Sequence, residues 1–392
     1  MLDFTFNIPT ELYFGRDQEL EVGRILSSHG AKKILIIYGK GSVIKSGLLA
    51  KVKTALEEEN ITYLELSGVE PNPDVSKVKE GLALIRKDPV DFILTIGGGS
   101  VIDTGKLIST AYFYDGDPYD ISLKKVEATN RIPLGVILTI SAAGSEMSTS
   151  SVISNSETLT KTGYNSPYNR PVFAIENPEL TFSVSPYQTA VGVVDILAHT
   201  FERYFNPSGE FELSDGFAEG LMRKVIAAGK VAVEDPTNYE ARATLMLASS
   251  LSHNGLTSIG KNSYMPVHQF EHIISGFYPQ VAHGAGLAVM IPAWMEYYRK
   301  IDPKKFTAFA KNVFDYDSGD DLDNGRYATI TLKSYFKSLG MPISLKELGI
   351  GALDLKRFAA RLTNDGKKKL PHHIKPVDNQ VAYQIFELAL EE

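Results

Sequence analysis

None of the 392 residues is a cysteine. Disulfides, thiolate nucleophiles and cysteine-held zinc are therefore excluded together, and any bound metal must rest on imidazole and carboxylate. No stretch approaches the roughly 20 consecutive apolar residues that a membrane-spanning helix needs. Positive charge is also scarce, with 40 Lys and Arg against 47 Asp and Glu and a formal net charge of -7. The one dense basic run, Lys367 to Lys369, has no interleaved aromatics and reads as a solvated loop, so no nucleic-acid partner is expected. The opening residues MLDFTFNIPTELYFG lack the basic start, apolar stretch and small-residue cleavage site of a secretory signal. The expectation is a soluble, cytoplasmic protein with no membrane partner.

The length itself exceeds what one hydrophobic core usually organises, which predicts two domains. Between about residue 30 and residue 140, short β-branched runs alternate with amphipathic stretches, the signature of parallel βαβ units. Strands are predicted at Ile34 to Tyr38, Thr62 to Leu66, Phe92 to Ile96 and Leu134 to Leu138, with helices at Leu48 to Glu59 and Val75 to Lys87. Ser151 to Ser154 and Val172 to Ile175 form a candidate further strand pair. After Pro186 the pattern turns to long helical runs: Gln188 to Phe205, Phe217 to Val233 and Tyr239 to Asn254. The predicted architecture is an α/β, Rossmann-like dinucleotide-binding domain over residues 1–184, followed by an all-helical metal-binding domain over residues 185–392.

Phe92 to Ile96 runs directly into Gly97-Gly98-Gly99-Ser100 and then into an amphipathic helix, Val101 to Ala111. Glycines allow close backbone approach, and a helix start offers N–H groups and a positive dipole end to a phosphate. On its own this segment is as readily an ordinary turn. Two more small-residue loops follow strand ends, Gly39-Lys40-Gly41-Ser42 and Thr139 to Glu146. Ligands of open parallel sheets bind beyond the carboxyl ends of the strands, so three such loops describe one rim.

In the helical half, Asp195 and His199 stand four apart in an apolar stretch, which stacks them on one helical face. They read equally as a ligand pair or as a buried Asp-His hydrogen bond. His268 and His272 follow Pro266, and His283 lies eleven residues further on, a concentration of imidazole that a surface does not need. A carboxylate with neutral imidazoles suits Fe(II) or Zn(II). His253 reads as a capping or hydrogen-bonding residue near a helix end, and His372 and His373 as surface residues in a Pro-flanked loop. His268-Gln269-Phe270-Glu271-His272 also fits H-x-x-E-H, an inverted zinc-peptidase pattern, but that reading leaves the glycine loops without a role.

Taken with Phe14-Gly15, Pro71-Asn72-Pro73, Gly97 to Lys106, Ala143-Gly144-Ser145-Glu146-Met147 and His283-Gly284-Ala285, these residues resemble the iron-containing, or group III, alcohol dehydrogenase family and its butanol dehydrogenase-like branch. The likeness spans nearly the whole chain. It implies one divalent ion, Fe(II) or Zn(II), on Asp195, His199, His268 and His283, with His272 as catalytic proton relay. It also implies coenzyme contacts at Gly39, Ser42, Asn72, Gly97, Gly98, Gly99, Ser100, Asp103, Thr139, Ala142, Ser148 and Lys161. In this family an Asp often ends the first strand when NAD is used. Here that place is Gly39, with Ser42 and Lys40 or Lys45 nearby, so NADP(H) is expected over NAD(H). The implied reaction is hydride transfer between NAD(P)H and an aldehyde carbonyl, with an alcohol or aldehyde as substrate and a homodimer as the assembly, formed through Phe4 to Ile8. A glycerol dehydrogenase-like polyol oxidoreductase is the nearer alternative, which the third imidazole at His268 disfavours.

Overall fold

In a computed structural model, the structure describes residues 1–205, 211–262, 264–372 and 374–390. The chain divides into two compact units, one formed by Asn7–Ser183 and the other by Met1–Phe6 with the chain from Val184 onward. Each encloses its own apolar core.

The first unit is built on strands β1 (Glu11–Phe14), β2 (Lys33–Gly39), β3 (Thr62–Val69), β4 (Phe92–Gly97), β5 (Leu134–Leu138), β6 (Ser150–Asn155), β7 (Thr160–Asn165) and β8 (Phe173–Glu176). Six of them form a wholly parallel sheet in the order β1-β8-β5-β4-β2-β3. Helices α1 (Val22–Ser28), α2 (Leu48–Glu58), α3 (Val75–Lys87) and α4 (Gly99–Ala111) make crossovers, short turns aside. Residues of β4 and β5 are buried throughout, as strands covered on both faces must be. Asp74 caps α3 by accepting from Ser76 N at 2.9 Å. Gly105 lets α4 lie close on the sheet, since a Cβ there would stand 2.5 Å from Thr95 Cγ2.

The predicted pairing of Ser151–Ser154 with Val172–Ile175 is wrong. Phe173–Glu176 is fully buried and enters the main sheet between β5 and β1, whereas β6 pairs with β7 in a separate antiparallel hairpin. A continuous apolar run belongs to a covered strand, and β6, whose burial is only partial, suits a hairpin. Strand β1, four half-exposed residues at the sheet edge, carries no periodic signal and was not predicted.

The second unit is helical among the described residues: α5 (Pro186–Tyr204), α6 (Glu212–Glu234), α7 (Tyr239–His253), α8 (Pro266–Phe277), α9 (His283–Tyr298), α10 (Pro303–Phe314), α11 (Asp321–Ser338), α12 (Leu355–Leu362) and α13 (Asn379–Leu390). Ser185 caps α5 just before its Pro186, and Asn238 caps α7. Lys367, Lys368 and Lys369 lie exposed in a turn, as expected. His372 does not lie on the surface. It is buried, stacked on Tyr298 at 3.9 Å, and accepts at Nδ1 from Ile374 N and Lys375 N. The flanking Pro-rich composition hid a ring that packs against α9. His373 lies outside the described residues.

Candidate active site

Helix α5 is apolar on nearly every side, yet it carries Asp195, His199 and Glu202 at intervals of four and three, one above another on a single face. All three are buried. His199 Nδ1 lies 2.9 Å from the Asp195 carbonyl oxygen, which can only accept. The ring is thereby fixed as the Nδ1–H tautomer with a lone pair on Nε2.

Two further histidines converge on the same carboxylate. His268, in the first turn of α8, brings Nε2 to 3.5 Å from Asp195 Oδ1, and His283, the first residue of α9, brings Nε2 to 3.7 Å; His199 Nδ1 is 3.1 Å away. The close approach of α9 depends on Gly284, where a Cβ would sit 2.1 Å from the Val191 carbonyl oxygen of α5. Behind the rings stand two more carboxylates, Glu202 on His268 Nδ1 and Glu271 on His283 Nδ1. Glu202 also accepts from Val267 N at 2.5 Å and so caps α8.

Electrostatics follow from this crowding. Burial would raise the Asp195 carboxyl, but the His199 and His283 rings beside it hold it well below the usual carboxylate range. Burial pushes His199 down to about 4 against the pull of Asp195. Burial acts the same way on His268, yet Glu202 and Asp195 outweigh it and hold that ring up at about 9. Asp195 Oδ1 and His268 Nε2 are nonetheless buried without a hydrogen-bond partner. Orphaned polar atoms in a dry interior are costly, and a divalent cation between them satisfies both, so the donor set fits a metal.

His272 stands one turn beyond His268 on α8, half-buried, with ring centroids 6.4 Å from His268 and 5.7 Å from His283. The peptidase pattern fails here because Glu271 is fully buried and holds His283, which leaves it unable to activate a water. Sequence reasoning set His253 aside, but its ring lies 4.2 Å from that of His199. It also missed Glu202 and gave Glu271 no role in holding His283; a lone Glu on an apolar helix, seven residues after Asp195, was the available signal.

In the α/β unit, β2, β4 and β5 end side by side in the sheet, so the loops that follow them share one rim. Gly98 precedes α4 in extended conformation and no side chain caps that helix start. Its bare Cα permits contact with the next loop, because a Cβ would meet Ile140 Cγ2 at 2.3 Å; a Cβ on Gly99 would lie 3.2 Å from Ala143 Cβ. Thr139 N donates to Gly97 O at 3.1 Å, and Lys161 Nζ to Asn72 Oδ1 at 3.0 Å. Gly39 ends β2, and Ser42 opens the exposed turn after it. Ala142 is half-buried in the loop after β5.

Asp103 and Ser148 work behind this rim. Asp103 accepts from Ser145 Oγ at 2.6 Å and Val152 N at 2.9 Å, and Ser148 is enclosed at 1% exposure. Between them lies Lys106, to which the sequence reading gave no role of its own. Its Nζ donates to Ser145 O at 2.7 Å, Ser145 Oγ at 2.8 Å and Ser150 O at 2.7 Å, with Ser148 O and Oγ at 3.2 and 3.3 Å. Burial pulls this ammonium down to about 8 despite Asp103 and Glu146 nearby. One cation thus ties the loop after β5 to α4.

Residues 9–178 match the family described as iron-containing alcohol dehydrogenase, and residues 189–388 match its C-terminal domain. NADH-dependent butanol dehydrogenase A of Clostridium acetobutylicum is 40% identical over 98% of this chain and 99% of its own length. The NADPH-dependent aldehyde reductase YqhD of Escherichia coli is 32% identical over 99% of this chain and all of its own. The crystal structure of NADH-dependent butanol dehydrogenase A from Thermotoga maritima superposes with a TM-score of 0.96 at 33% identity, covering all of this chain and 99% of that one. With both units matched end to end, the chain belongs to the iron-containing alcohol dehydrogenase family, a nicotinamide-dependent alcohol and aldehyde oxidoreductase.

Proposed function

We propose that the chain reduces an aldehyde to its alcohol with NADPH at one divalent ion, Fe(II) or Zn(II), held by Asp195, His199, His268 and His283. The observation that carries this reading is the convergence of three imidazoles on Asp195 Oδ1, with that oxygen and His268 Nε2 left unpartnered in a buried setting. When bound, the ion supplies Lewis acidity to the carbonyl oxygen and the coenzyme supplies the hydride.

The chain's own residues do the rest. His199, His268 and His283 keep Nδ1–H turned to oxygen acceptors, so three Nε2 lone pairs remain for the ion. Because the Glu202 and Asp195 carboxylates favour protonation of His268, ion binding there competes with a proton. His272 is the proton source for the nascent alcohol, since an imidazole titrates near working pH. Gly97, Gly98, Gly99 and Ser100 receive the pyrophosphate at the uncapped start of α4. Gly39, Ser42, Asn72, Thr139, Ala142 and Lys161 complete the coenzyme rim, and Asp103 and Ser148 brace it.

The preference for NADPH rests on Gly39 standing where a carboxylate would repel a 2'-phosphate, with Lys40 next to it. Relatives with either coenzyme are known, NADH for the butanol dehydrogenases and NADPH for the aldehyde reductase. A cytoplasmic homodimer belongs to the same reading; exposed Phe4 and Phe6 support a covered N-terminal segment. No described helix is long and apolar enough to cross a membrane.

Elemental analysis with an aldehyde panel under both coenzymes tests the proposal. One divalent ion per chain, lost in Asp195→Asn together with activity, and a kcat/KM higher with NADPH than with NADH are the expected results. A protein that keeps full activity without metal, or after Asp195→Asn, overturns it.

A further inference from the structure

Glu202 and Glu271 lie outside the four-residue ligand set, on different helices, and both end on the far nitrogen of a proposed ligand. We propose that these two carboxylates are positioning residues for the divalent ion: each locks one imidazole as its Nδ1–H tautomer and makes its Nε2 a stronger donor. This rests on the metal-site reading above.

Both are almost fully enclosed, at 3% and 0% exposure, where a carboxylate persists only if it is paired and hydrogen-bonded. Room for Glu271 is made by Gly286, since a Cβ there would stand 2.8 Å from Glu271 Cγ. Glu202 has a second task as the cap of α8, which by itself would explain its burial. Glu271 meets His283 Nδ1 as Glu202 meets His268 Nδ1, so the shared feature of the two is the ring behind which each stands. His199 is treated differently: its Nδ1 meets the neutral carbonyl of Asp195. The three rings are therefore unequal, two backed by charge and one by a peptide dipole. With Asp195 the site gathers three negative charges around a doubly positive ion, and loss of either outer charge weakens its hold.

The test uses the full chain stripped of metal by a chelator, then titrated with Zn(II) against a competing chelator and with Co(II), whose visible bands report the ligand field. Glu202→Gln and Glu271→Gln keep an acceptor oxygen while removing the charge. Each is expected to weaken ion binding about 10- to 100-fold and to shift the cobalt bands. Glu296→Gln, a half-exposed carboxylate paired with Arg299, should bind as the unsubstituted chain does. Affinity within about twofold of the unsubstituted chain in both outer variants, while Asp195→Asn abolishes binding, overturns the proposal and leaves the metal site standing. Unchanged affinity in Asp195→Asn overturns both. Should Glu202→Gln fail to fold for want of its cap, Glu271→Gln decides alone.

Discussion

At the scale of single residues, the proposed site separates groups that hold from groups that react. His272→Ala should lower kcat by about 10²- to 10⁴-fold while leaving the ion bound, as elemental analysis of the purified variant would show. Loss of the ion instead would make His272 a ligand. Lys106 offers a pH signature. Burial has lowered it to about 8, so as pH rises through that value the folded protein loses the ammonium, which supplies three donors, and keeps an amine with two. The loop it ties should loosen on the alkaline side, and the KM for coenzyme should climb there, with Lys106→Gln flattening the profile. A KM that stays level through pH 9 would remove Lys106 from coenzyme binding. Near the end of β2, Lys40 Nζ lies 2.5 Å from Glu70 Oε1, a pairing set by the register of Gly39 against Val69. The pair is exposed and contributes little to stability, but Glu70 would compete with a 2'-phosphate for Lys40. Glu70→Gln should raise the kcat/KM ratio of NADPH to NADH, and an unchanged ratio would place the phosphate elsewhere.

At the scale of elements, α5, α8 and α9 carry the proposed metal ligands and one glycine sets the spacing of α5 and α9. Gly284→Ala would drive a methyl to 2.1 Å from a backbone carbonyl that cannot turn aside. The helices must part, at a cost of about 1–3 kcal/mol or more, and His283 moves with α9. A lowered melting temperature together with weakened metal binding is expected; a variant with normal metal content would show that α9 can shift without carrying His283 away. The same elements show how far the sequence could be read. Asp195 and His199 were legible because helical spacing stacks them, and β2, β4 and β5 because covered parallel strands leave unbroken apolar runs. Val172 to Ile175 was recognised as a strand but given the wrong partner, since nothing in four apolar residues states which neighbour they lie beside. Glu202 and the true place of His372 depended on contacts between segments far apart in sequence, and His253 on a ring neighbour 54 positions before it.

At the scale of the whole molecule, two units with separate cores predict two separable responses. Removing the ion should lower the stability of the helical unit and leave the α/β unit untouched, while NADPH should act on the α/β unit. Differential scanning calorimetry would register two transitions moving independently, each by RT ln(1 + [L]/Kd). A single transition shifted by both ligands would mean that the units melt as one. The placement of the donors has a further consequence for a chain without cysteine. Asp195 and His199 sit near the start of the helical unit, and His283 lies 84 residues after His199, on a helix that begins with it. An ion joining them is a cross-link that closes this long loop, so it restricts the unfolded chain much as a disulfide would, by roughly 4–5 kcal/mol in the loop-entropy account. What sulfur supplies elsewhere, a removable metal at the proposed site would supply here, and a chelator would be the reducing agent's counterpart.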